Sequence, residues 1–148
     1  MLLCRHGEKT PRYEKEQARK GTDRSRYVLS TKVGKYTAPG AYGADTFDYS
    51  HDRTYRSIDE SMERLGVDYL DIVSLHDFEY DGQRHADDAL SAGFSTLVEL
   101  RDSGRIGAIG AGIYAMDLFK RVLLETEVDV LLVHNHYCLN DIRSRKFR

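Results

Sequence analysis

Apolar positions along the chain follow two alternating periods. Short runs of aliphatic and aromatic residues (Tyr27 to Thr31, Tyr69 to Leu75, Ile106 to Ile109 and Val128 to Val133) read as strands. Between them the apolar residues are spaced by three and four. Ile58, Met62 and Leu65 form one such set, Leu90, Phe94, Leu97 and Leu100 a second, and Met116, Phe119 and Leu123 a third, each predicting an amphipathic helix. Ser50 supplies a capping hydroxyl for the first helix, with Asp52 near its positive end, and Gly66 and Gly104 supply stops for the first and second. The first strand opens into a loop carrying Gly34, Pro39, Gly40 and Gly43. Ahead of it, Glu14, Lys15, Glu16, Arg19 and Lys20 belong to a charged stretch without an apolar face.

Strands alternating with helices of this length favour parallel β/α/β units, because each crossover helix covers one face of a parallel sheet. The pattern predicts an α/β chain with the architecture of a partial (β/α)8 barrel of the TIM type, with about four parallel strands and covering helices. Residues 1–26 are expected to form a charged arm or helix, and residues 27–148 the partial barrel. A closed barrel takes eight strands and typically about 250 residues, so this run should leave open sheet edges through which it could self-associate.

Composition narrows the partners. The 148 residues carry 22 Lys and Arg against 24 Asp and Glu, a formal charge of −2 spread along the chain. That balance gives no broad basic face for nucleic acid or anionic lipid and favours a small-molecule partner. No apolar run approaches the ~20 residues of a membrane span, and Met1 to Cys4 leads straight into Arg5, His6 and Glu8, so a cytoplasmic location is expected. Cys4 and Cys138, far apart in sequence, are expected to be reduced thiols.

Reactive groups in β/α barrels sit where strands end and loops begin, and Lys32, His76 and His134 each hold that position. Two other chemistries compete. Arg5-His6-Gly7 resembles the signature of histidine phosphatases, in which the His accepts a phosphoryl group, with His76-Asp77 as an imitation of the second half of that site. His134 and His136 have the i, i+2 spacing that sets two imidazoles on one face of a strand, as in metal-dependent hydrolases, although no carboxylate-rich cluster accompanies them and no metal is expected.

A longer resemblance outweighs both. Ser30-Thr31-Lys32-Val33-Gly34, then Phe47-Asp48-Tyr49-Ser50, then the run from Arg56 through Asp59-Glu60-Ser61 and Leu65-Gly66-Val67-Asp68 to Ile72 resemble, in order, segments of the aldo-keto reductases. With Ala108-Ile109-Gly110-Ala111-Gly112-Ile113 they are most similar to the sugar-oxidising branch, which includes L-galactose, D-arabinose and D-threo-aldose dehydrogenases. The resemblance covers roughly Tyr27 to Asp141. It implies a (β/α)8 barrel using NAD or NADP, a sugar-like aldose or aldehyde substrate, and an Asp, a Tyr, a Lys and a His around the nicotinamide, with the Tyr transferring the proton. Lys32 and His76 match the Lys and the His; the Asp and Tyr find no convincing counterpart between Met1 and Arg26. In the family, side-chain donors after the next strand hold the nicotinamide carboxamide. Here Gly112 and Ile113 occupy that vicinity with backbone groups alone, and His134 falls near a further carboxamide contact. The resemblance therefore implies a catalytic pair, Lys32 and His76, and cofactor contacts at Gly112 and His134. The competing expectation is a catalytically inert half-barrel or an interaction module.

Overall fold

The computed structural model describes residues 2–4, 23–37 and 45–134. Its centre is a five-stranded sheet in the order β1-β2-β5-β6-β7, with every neighbouring pair parallel. The strands are β1 (Leu2–Cys4), β2 (Leu29–Val33), β5 (Leu70–His76), β6 (Ile106–Ile113) and β7 (Val130–Val133). The four strands expected from the apolar pattern are all present: the first two are shifted by one or two residues, the third is extended to Ile113, and the last begins at Val130 instead of Val128. Leu2–Cys4 adds a fifth, paired with Leu29 to Thr31, inside the stretch expected to be an arm; three residues are too few to show a period. Residues 5–22, which hold His6, lie outside the described part, as do His136 and Cys138.

The loop expected after β2 contains a small antiparallel pair, β3 (Lys35–Thr37) with β4 (Asp45–Phe47), in which Lys35 lies opposite Phe47. Pro39, Gly40 and Gly43 lie outside the described residues. The helices lie where the sequence pattern sets them, but the third buries Leu118, Phe119 and Val122, while Leu123, expected on its apolar face, is 41% exposed. Helix α1 (His51–Leu65) begins at Ser50, whose hydroxyl accepts from the Arg53 amide, and ends at Gly66, whose φ of +70° lets its N–H turn back to the last carbonyls. Helix α2 (Phe94–Asp102) is entered through a short turn, Ala86–Asp88, and a π segment, Ala89–Gly93; helix α3 is Met116–Glu125. No described helix is long and apolar enough to cross a membrane.

Alternation along the strands divides the sheet into two chemically different faces. Register puts Thr31 beside Val73 and Ile109, and Val33 beside Leu75 and Ala111. These residues are buried, and the core they share takes in Ile58 and Met62 of α1, Leu97 and Leu100 of α2, and Leu118, Phe119 and Val122 of α3. Each large aliphatic side chain buried there contributes about 1.5–3 kcal/mol relative to exposure. The other face carries Lys32 beside Ser74 and Gly110, and His76 beside Gly112 and Leu132. Polar groups and glycines dominate it, and Val130 and Leu132 remain 37% exposed. Asp129 secures the start of β7, its N–H donating to the Ile109 carbonyl while its carboxylate accepts from the Ile109 amide.

Candidate active site

Parallel pairing brings the C-terminal ends of all five strands to one edge of the sheet, and the reactive side chains collect there. Lys32 is one residue short of the end of β2 and His76 is the last residue of β5. Because Lys32 pairs with Ser74, His76 lies two residues further along the same face. That offset suits the long lysine side chain, and Lys32 Nζ reaches His76 Nε2 at 2.9 Å.

His76 is held by three further residues. Asp77 Oδ1 lies 2.9 Å from His76 Nδ1, and Asp77 Oδ2 lies 3.1 Å from Lys35 Nζ. Asp77 itself adopts a φ of +62°, a left-handed conformation that Asp tolerates better than most side chains, and its N–H donates to the Gly112 carbonyl. The Tyr49 hydroxyl donates to the His76 carbonyl at 2.7 Å. A Cβ built on Gly112 would come within 2.9 Å of His76 Cδ2, so this glycine is the notch against which the ring lies.

Charges at this edge are only partly screened, with His76 and Asp77 side chains 24% and 13% exposed. Burial alone would raise the Asp77 carboxyl, but the bonds and charges of His76 and Lys35 outweigh it and hold it below its ordinary value. Glu79, two residues on, is driven the other way, mainly by burial. Its Oε1 accepts from the Tyr114 amide at 2.7 Å, whereas its Oε2 is buried without a partner among the described residues. Burial, reinforced by the charges of Asp77 and Glu79, pushes the Tyr49 phenol far up, and burial also raises Tyr36. Both phenols therefore stay protonated: Tyr49 as a donor to His76, Tyr36 with its oxygen accepting from the Gly34 amide.

The structure thus brings Lys32, His76 and Gly112 together. His134, one residue past β7, lies at the same sheet edge but further along, its ring tilted against Tyr114 at 5.9 Å. Several neighbours were not singled out by the sequence reading. Asp77 was legible only as an adjacent acid. Tyr49 stood in the motif Phe47-Asp48-Tyr49-Ser50 without a role, and Lys35, Glu79 and Tyr114 carry no local signal, since the hairpin and the loops after β5 and β6 place them. Lys35 also lies 4.8 Å from the centroid of the Tyr80 ring and 5.7 Å from that of Phe47, giving this side of the site an aromatic wall.

A cationic amine touching an imidazole that is buttressed by a carboxylate can bind and polarise an oxygen at the open end of the sheet. Comparison with known proteins places the chain in a family. The sequence profile described as the Aldo/keto reductase family matches residues 12–148. L-galactose dehydrogenase of Arabidopsis thaliana is 37% identical over 121 residues, covering 80% of this chain and 35% of that protein. D-threo-aldose 1-dehydrogenase of a Pseudomonas species is 34% identical over 134 residues, covering 78% and 40%. Among solved structures, an aldo-keto reductase of Pseudomonas aeruginosa superposes with a TM-score of 0.70 at 28% identity, covering 91% of this chain and 48% of that one. The chain spans well under half the length of the two curated relatives. On the profile match, the parallel strand order and the shared backbone, this chain belongs to the aldo-keto reductase family and forms part of its α/β barrel.

Proposed function

We propose that the chain carries the Lys and His half of the active site of an NAD(P)-dependent aldose dehydrogenase. The reaction moves hydride between the nicotinamide and C1 of a sugar-like substrate, with Lys32 and His76 around the reacting oxygen. The observation that supports this most is the 2.9 Å contact between Lys32 Nζ and His76 Nε2 at the open ends of β2 and β5. An ammonium there stabilises negative charge on a reacting oxygen, or on a phenol beside it, and the imidazole orients that oxygen. Burial raises the Tyr36 and Tyr49 phenols, the opposite of what a neighbouring ammonium does to a proton-transferring phenol.

The residues present fit one side of a nicotinamide. Gly112 projects no side chain between β6 and the His76 ring, and His134 stands at the same sheet edge with a ring nitrogen suited to a carboxamide. When bound, the nicotinamide supplies the hydride acceptor, and this chain's residues orient the substrate oxygen beside it.

The test is titration of NAD and NADP against intrinsic tyrosine fluorescence of the 148-residue chain, with turnover of L-galactose, D-arabinose and L-fucose. Lys32→Met and His76→Ala should each lower kcat/KM by about 10² to 10⁴. Turnover unchanged in both variants would refute the assignment. A second reading is a module that works only against another polypeptide, favoured by the exposure of Val130 and Leu132 on the face away from the helices. Binding and turnover that appear only when the chain is associated would support it.

A further inference from the structure

We infer that Glu79 is a proton-operated latch between the loop after β5 and the end of β6: it holds the two together while protonated and lets them part once ionised. The latch closes the sheet edge that carries His76 and Gly112. Its effect on a cofactor rests on the reading of that edge as one side of a nicotinamide site.

The loop after β5 grips the β6 side at two backbone points. The Asp77 N–H donates to the Gly112 carbonyl at 3.2 Å, and Glu79 Oε1 accepts from the Tyr114 amide at 2.7 Å. The second bond is made by a carboxyl whose other oxygen, Oε2, is buried with no partner among the described residues. A carboxylate in that position is poorly solvated, whereas the neutral acid loses far less by being there. The turn that follows is strained: Asp81, Gly82 and Gln83 have φ of +59°, +69° and +64°, a left-handed run in which two residues are not glycine. Such a run persists where neighbouring contacts hold it. Further along, Gln83 Nε2 donates to Asp117 Oδ2 at 2.8 Å, but that tie is exposed to water. Glu79 is the buried one, and the strained turn can relax when it lets go.

The charges around Glu79 fix the sign. Burial is the largest influence and favours the neutral acid, and the Asp77 carboxylate reinforces it; the amides of Glu79 and Tyr114, and His76, work the other way without cancelling it. Tyr49, from the segment ahead of α1, is the further titratable group within reach. Glu79 thus titrates higher in the closed loop than in the open one. Closure is fully present below the ordinary glutamate value of 4.5 and weakens as pH rises towards the closed-state value. Between the two, the closed-to-open ratio falls about tenfold per pH unit. Asp77 and Asp117 are held below their ordinary 3.8, so their own linkage has the opposite sign and lies under that window.

Hydrogen exchange of the Tyr114 amide, read by NMR in the full chain from pH 4.5 upward, tests the latch. In wild type, protection corrected for intrinsic base catalysis should fall with pH, by up to about tenfold per unit. Glu79→Gln keeps an oxygen for the amide and never ionises, so its protection should stay flat; Glu79→Ala should be unprotected throughout. Tyr114 should also exchange faster than amides within β6, the mark of a local opening. A flat wild-type profile, a slope that survives in Glu79→Gln, or a Tyr114 amide as protected as β6 overturns the inference. NAD should bind less tightly as pH rises, more steeply in wild type than in Glu79→Gln, and equal slopes would overturn the claim that the latch closes the cofactor edge. The exchange profile needs no cofactor. A sloped wild type beside a flat Glu79→Gln, in a chain that binds neither NAD nor NADP, would sink the dehydrogenase reading and leave the latch supported.

Discussion

Gly34→Ala is the perturbation that tests how the hairpin loop is tied to the sheet edge that carries His76. Gly34 follows β2 directly, with a φ of +108°, and an added Cβ would stand 2.1 Å from Tyr49 Cε1 and 2.7 Å from Cδ1. Ordinary carbon contacts are about 3.5–4.0 Å, so the ring would have to move by more than an ångström. It has little freedom to do so. Tyr49 is 2% exposed, its edge meets Phe78 with centroids 6.2 Å apart, and its hydroxyl is bonded to the His76 carbonyl. Two costs therefore add: about 1–3 kcal/mol for a side chain at this φ and about 1–3 kcal/mol for overpacking. Gly66→Ala separates them, since Gly66 also has a positive φ, +70°, but nothing lies within 4 Å of its Cβ position. That variant should lose only the backbone part, about 1–2 kcal/mol. Urea unfolding of the purified chain reads the difference: with a slope of about 1–3 kcal/mol per molar, Gly34→Ala should shift the midpoint clearly further than Gly66→Ala. In a Tyr49→Ala background the extra penalty at Gly34 should disappear. Equal losses at the two glycines, or an extra penalty that survives removal of the ring, would refute the packing argument.

Two further substitutions test buried polar groups. The Thr54 hydroxyl is buried without a hydrogen-bond partner among the described residues, so Thr54→Val should be neutral or should raise stability by about 1 kcal/mol in the same unfolding assay; a clear loss would mean that the hydroxyl has a partner. Glu79 has its folded-state value raised, chiefly by burial, so its charged form disfavours the fold, and its contribution is lost as pH rises from about 4.5 through the folded value. Glu79→Gln keeps an oxygen for the Tyr114 amide and should stabilise the chain at pH 7 but not at pH 4. A gain of equal size at both would contradict the burial argument.

The sequence by itself determined the elements and the class of fold, because those follow from local periods and caps. Ser50 and Gly66 bound α1 as their chemistry predicts, and the apolar runs at β2, β5, β6 and β7 became parallel strands since the helices between them force crossovers. Ordered motifs also singled out Lys32 and His76 as candidates. Leu2–Cys4 was not legible as a strand, since three residues carry no period and its identity depends on pairing with β2. Nor was the hairpin β3–β4, whose strands are equally short. At the site, sequence could set Lys32 and His76 at strand ends but not in contact. Their meeting depends on the β2–β5 register, a one-residue slip of which would send one of them to the helix-covered face. The tertiary structure alone decided what surrounds the imidazole. Asp77 reaches Nδ1 through a left-handed turn, Lys35 comes from a hairpin 42 positions upstream of Asp77, and Gly112 opens the notch from a neighbouring strand. Such contacts join residues distant in sequence, and only the packing of one strand end against another brings them within reach.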